Sequence, residues 1–164
     1  MIRCAAALVL LFLYAGAANW RPANEAELKE VIPARAPVGS ERIETEFRTA
    51  SGITDGKGRY IAGVVLITAG YSADGKYSHF LVVQAPMKIA DFVLKPGNYV
   101  FGWRHEDDGL RVMFYEAQSG KLLGTVDAVR NSTIGKIESF HLFPPNEKSV
   151  IQIGRFAFPY KIAE

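Results

Sequence analysis

The chain has 164 residues, one cysteine, and 19 basic against 17 acidic side chains, for a formal charge of +2. That length suits one domain with a packed core, and the balanced, interspersed charge gives no electrostatic footprint for nucleic acid or an anionic membrane. The lone cysteine, Cys4, leaves the chain without a disulfide, so the fold must be held by packing.

Arg3 precedes an unbroken apolar run over residues 5–14, and Ala15-Gly16-Ala17 then places small residues where signal peptidase reads. Residues 1–17 are expected to form a secretory signal peptide, so the mature chain is expected in a periplasm or in the medium. A membrane-spanning helix needs ~20 apolar residues, so this shorter run predicts no stable span after cleavage. Cys4 lies too early in the leader to be a lipid-attachment site.

Residues 18–40 read as a short helical lead-in and linker. Asn24 is a predicted N-cap with Glu27 as its reciprocal partner, and Leu28, Val31 and Ile32 share one helical face. Pro33 ends the helix, and Pro37 with Gly39 marks the linker.

From residue 41 the apolar period changes to two, and residues 41–164 read as a single β domain. Ile43, Thr45, Phe47 and Thr49 alternate with Glu44, Glu46 and Arg48, the pattern of a strand with one wet face. Residues 51–58 are predicted as a loop. Residues 60–68 are apolar on both faces, which fits a sheet covered on both sides or a homo-oligomer interface. Turn residues then recur at short spacing, separating strands expected over 79–84, 88–93, 99–105, 110–117, 122–130, 136–143, 149–156 and 158–162. Pro159 marks the last of these as an edge. About eight to ten short strands joined mainly by hairpins predict an all-β fold, an antiparallel β-sandwich or small barrel.

A tight turn at Asp108-Gly109 would pair His105 with Val112 and Trp103 with Phe114. Tyr99, Phe101, Trp103, His105, Leu110, Val112 and Phe114 then share a core face. Gly102 leaves a gap opposite Tyr115, read as a bulge or as a glycine covered by that ring.

Residues 92–100, Phe-Val-Leu-Lys-Pro-Gly-Asn-Tyr-Val, carry an L-x-P-G-x-Y turn into a strand. Leu94 ends one strand, Pro96 fixes φ, Gly97 permits the turn and Tyr99 re-enters the sheet. In this motif, and more broadly over residues 60–162, the chain resembles uncharacterised exported bacterial β-sandwich proteins. The resemblance implies a fold and transfers no site residues.

No constellation marks a catalytic or metal centre. His79, His105 and His141 fall on separate expected strands, without a second histidine or cysteine at ligand spacing. Glu106, Asp107 and Asp108 lack the spacing of a calcium loop, and Asp55-Gly56-Lys57 and Asp74-Gly75-Lys76 read as turns, not phosphate loops. No cofactor is predicted. The candidate binding residues are a surface aromatic platform of Tyr71, Tyr77, Tyr99 and Tyr115, with Arg104 beside them, while Trp103 is read as core. The expected function is a non-catalytic exported module that binds a ligand, a polymer or an envelope protein. A hydrolase with a histidine–carboxylate site and a small outer-membrane barrel are the alternatives. The barrel is disfavoured by strands that glycine and proline interrupt.

Overall fold

A computed structural model describes residues 18–163; the expected signal peptide lies outside the described residues. In chain order the elements are β1 (Arg21–Pro22), α1 (Glu25–Val31), β2 (Arg35–Val38), β3 (Glu41–Thr54), β4 (Tyr60–Leu66), β5 (His79–Val83), β6 (Met87–Ile89) and β7 (Phe92–Leu94). They continue with β8 (Gly97–Glu106), β9 (Gly109–Glu116), β10 (Leu122–Arg130), β11 (Glu138–Leu142), β12 (Val150–Gly154), β13 (Phe156–Pro159) and β14 (Lys161–Ile162). The all-β expectation holds. The main sheet is antiparallel, in the order β1-β3-β4-β5-β8-β9-β10-β13-β12-β11, with β2 also on β3; β14, β6 and β7 form a second, small sheet.

The capping box is present: Glu27 N–H donates to Asn24 Oδ1 at 3.0 Å, and Asn24 N–H donates to Glu27 Oε2 at 2.8 Å. Leu28 and Ile32 are buried on one helical face. The expected linker at Pro37 is corrected. Arg35–Val38 pairs with β3, because Ala36 and Val38 alternate inward and Gly39, at φ +58°, turns the chain back. Pro37 can sit there because β2 is an edge strand.

Five further features differ from the sequence reading. Residues 51–54 extend β3, all buried, instead of forming a loop. Residues 88–93 are a hairpin turned at Ala90, φ +49°, and residues 149–156 are split by Gly154, φ +61°. The expected strand 158–162 divides between the two sheets. Finally, the β8–β9 loop is Asp107-Asp108: Glu106 opposes Gly109, Trp103 opposes Val112 and Gly102 opposes Met113. The pairing slips by two residues, so every side chain keeps its expected face.

The strands with two apolar faces are covered on both. The inner face contributes Ile53, Ile61, Leu81, Phe101, Val112 and Phe114 to one core, which Met87, Ile89 and Leu94 of the small sheet help close. The outer face contributes Val64, Phe80, Val82 and Val100 to a second core, roofed by Leu28, Ile32, Ala36 and Val38. The main sheet curls into a half-barrel, so that β11, at its far end, packs onto β3 and β4. Phe140 from β11 lies over Gly63 of β4, where a Cβ would fall 2.5 Å from the ring.

Candidate functional site

His79 opens β5 and sits directly opposite Phe101 of β8, so their rings stack, with centroids 4.7 Å apart. Odd-numbered residues of β5 face the inner core, which places an imidazole among Phe101, Trp103 and Phe140. It borders a cleft of about 570 Å³ that is also lined by Trp103, His105, Leu110, Ile153 and Phe156. Such a volume falls within the range of small-molecule sites.

The hydrogen bonds of His79 select a tautomer. Nε2 faces the Ser139 carbonyl at 3.3 Å, and Nδ1 faces Ser78 Oγ at 2.9 Å. A proton on Nε2 is donated to Ser139, leaving Nδ1 to accept from the Ser78 hydroxyl. The Phe101 carbonyl, which Ser78 Oγ also approaches at 3.1 Å, keeps the Ser78 backbone N–H at 2.9 Å. Burial lowers the imidazole pKa to about 4, against the opposing effect of the Ser139 bond. At neutral pH the cleft therefore presents an uncharged imidazole beside apolar walls.

The remaining charge around the cleft is positive. Lys76 and Arg155 carry it, with His105 also on the rim, and no aspartate or glutamate lines the cleft. The acid next to His105 is committed elsewhere: Glu106 bonds Arg104 at 3.1 Å and Arg111 at 3.3 Å. Lys76 is drawn aside, its ammonium 4.9 Å from the Tyr77 ring centroid and 5.3 Å from that of Tyr115.

No protein-family model matches the chain, and neither a curated protein nor a solved structure matches it.

The five residues expected to form an aromatic platform do not come together. Tyr77 and Tyr115 meet on the outer face, centroids 5.0 Å apart, and Tyr71 packs against the same core. Tyr99 is corrected: it lies on the inner face, 7% exposed, and its hydroxyl bonds back across the Pro-Gly turn to the Lys95 carbonyl. Tyr77, at 9%, is likewise buried. Arg104 is exposed on β8 and bonds Glu106. Gly102 is covered by the Lys76 backbone and not by Tyr115; no ring or bulge is needed there.

Sequence reasoning missed His79, Ser78, Arg155 and Phe156 as site residues. The available signal was His79 at the same parity as Leu81 and Val83, which puts a polar ring on an apolar face. Trp103, read as core, is half-buried and lines the cleft. His141 does meet a carboxylate, Glu138, at 2.8 Å, on β11. Among the described residues no group of three His, Cys, Asp or Glu side chains could hold a metal ion.

Proposed function

We propose that the protein is an exported, non-catalytic binding module that holds a small apolar molecule in the cleft at His79. The observation that carries this reading is the cleft of about 570 Å³ with Trp103, Leu110, Ile153 and Phe156 in its walls. Aromatic and aliphatic walls with a few fixed polar groups are what small-ligand sites present. Ser78, His79 and Ser139 supply those groups. Export rests on the leader-like composition of residues 1–17. Among the described residues no helix is long and apolar enough to cross a membrane.

Two measurements test the reading. Native mass spectrometry of the protein from its exported fraction detects a retained small molecule together with the subunit number. Titration with N-phenyl-1-naphthylamine, a neutral aromatic probe, follows saturable binding by fluorescence. Binding that is weakened by Trp103→Ala supports the cleft. An empty protein that gives no saturable probe signal overturns it; an empty oligomer would move the reading toward an assembly role.

One contact favours a second reading, ester hydrolysis: Ser78 Oγ lies 2.9 Å from His79 Nδ1, as a nucleophile lies near its base. The imidazole is a weak base at pKa about 4, and its far nitrogen meets a neutral carbonyl where a carboxylate would stabilise the cation. Hydrolysis of p-nitrophenyl acetate that disappears in Ser78→Ala would establish this second reading.

A further inference from the structure

We infer that the molecule held in this cleft is an organic anion: an apolar body carrying a carboxylate or sulfonate, with Arg155 as the residue that receives the charged group. The inference rests on the ligand-binding reading and specifies the ligand's chemistry.

The cleft is asymmetric in charge. Two cationic side chains, Lys76 and Arg155, border it without any carboxylate. Low-dielectric walls lined by one sign of charge focus the field and raise the local concentration of the opposite ion. The two are not equivalent. Lys76 is held over Tyr77 and Tyr115, and its backbone is anchored against Gly102. Arg155 sits at the β12–β13 turn, where Gly154 at φ +61° reverses the chain. It is exposed and makes no side-chain hydrogen bond or ion pair among the described residues.

Phe156, the next residue, forms the apolar side of the same corner. The Arg130 guanidinium lies 5.5 Å from its ring centroid, and the His105 ring 6.4 Å from it. One aromatic wall is thus flanked by a guanidinium and an imidazole, with a second guanidinium at its backbone neighbour. Asp107 and Asp108 lie with Arg130 around a neighbouring depression and do not line the cleft. Glu106 is paired with Arg104 and Arg111, and Asp127 with Arg111 at 3.0 Å. A planar carboxylate or sulfonate suits the forked donors of arginine, while its apolar body would lie on Phe156, Trp103 and Leu110. A neutral ligand would leave these donors to water.

The test compares two probes that differ by one sulfonate: 1-anilinonaphthalene-8-sulfonate and the neutral N-phenyl-1-naphthylamine. Each is titrated by fluorescence into the wild-type protein, Arg155→Gln, and the double variant Arg130→Gln/Arg155→Gln. Both positions are exposed, and far-UV circular dichroism with a thermal melt checks that the variants fold alike. Losing a charge-assisted contact should weaken the anionic probe roughly tenfold in Arg155→Gln and leave the neutral probe within about twofold. Raising the salt concentration should weaken only the anionic probe. If both probes bind and the substitutions change them equally, or change neither, the anion inference fails and the ligand-binding reading stands. If neither probe binds, both fail together.

Discussion

Ser51 and Leu142, 91 positions apart, join the two ends of the curled sheet: the Leu142 backbone N–H donates to Ser51 Oγ at 3.0 Å. No ladder of paired strands links β3 to β11. Side chains hold β11 in place instead, through this bond to β3, the Phe140 ring over Gly63 of β4, and His79 of β5 reaching the Ser139 carbonyl. All three place β11 where it forms one wall of the cleft. Ser51→Ala should therefore cost about 1–3 kcal/mol, because a buried N–H loses its acceptor. Urea denaturation of the two proteins measures this. A loss below about 0.5 kcal/mol would mean that water or a shifted backbone satisfies Leu142, and that the contact does not hold the seam.

His79 makes stability depend on pH in a defined window. Its pKa falls from the ordinary 6.5 to about 4 in the folded protein, by burial. Between those values the unfolded chain binds a proton that the native state refuses. Stability is then fully present above about pH 6.5, declines as pH falls toward about pH 4, and loses nothing more from this group below that. For so buried a ring the total is on the order of 3 kcal/mol. His79→Phe keeps a ring against Phe101 and removes the titration. Chemical denaturation at pH 7 and pH 4.5 should show the wild type losing clearly more stability than the variant; parallel losses would show that His79 is not the group.

How much of this was legible in the sequence depends on the range of the interaction. The Asn24–Glu27 capping box spans three residues, and the faces of 99–105 and 110–114 follow from alternation alone. Both are local, and both hold, except that His105, expected in the core, is exposed near the end of β8. The β8–β9 register turned on which two of Asp107, Asp108 and Gly109 form the loop. Residues 51–54 read as part of a loop because 51–58 carries three glycines and Asp55, yet Gly52 is where Ala62 of the paired strand packs close. The cleft was illegible for a stronger reason. Its walls come from residues as distant as His79, Trp103, Ser139 and Phe156, which only the curl of the sheet assembles. The tyrosine platform failed because period two places Tyr99 and Tyr115 on opposite faces, a parity already contained in the expected core face of Tyr99, Phe101 and Phe114.

Gly102 tests how the wall carrying Lys76 and Tyr77 is positioned. A Cβ at Gly102 would collide with the Lys76 carbonyl oxygen, which is backbone and cannot rotate away. Gly102→Ala must displace residues 76–78, including Ser78, whose hydroxyl faces His79. Overpacking of this kind costs about 1–3 kcal/mol. The expected outcome is that loss in denaturant, with a shift of the His79 ring proton resonances in NMR. Gly75→Ala meets no neighbouring atom but strains a residue at φ +75°, so it should destabilise without moving His79. If both variants leave His79 unchanged, the turn is too compliant to position the site.

The outer aromatic pair is occupied from within. Lys76 stands over both Tyr77 and Tyr115, so an external cation seeking those rings must first displace it. Lys76 itself is exposed, so solvent screens the contact, and a double-mutant cycle between Lys76→Met and Tyr115→Leu should give a coupling of about 0.5–1 kcal/mol. Tyr77→Leu should cost more than Tyr115→Leu, since Tyr77 is buried and Tyr115 half-buried. Zero coupling would mean that the lysine is mobile and the rings are open to a ligand, and the tyrosine surface would then compete with the His79 cleft as the binding site. A coupling of the expected size leaves the cleft, whose Arg155 has no partner among the described residues, as the place where a charged group is best received.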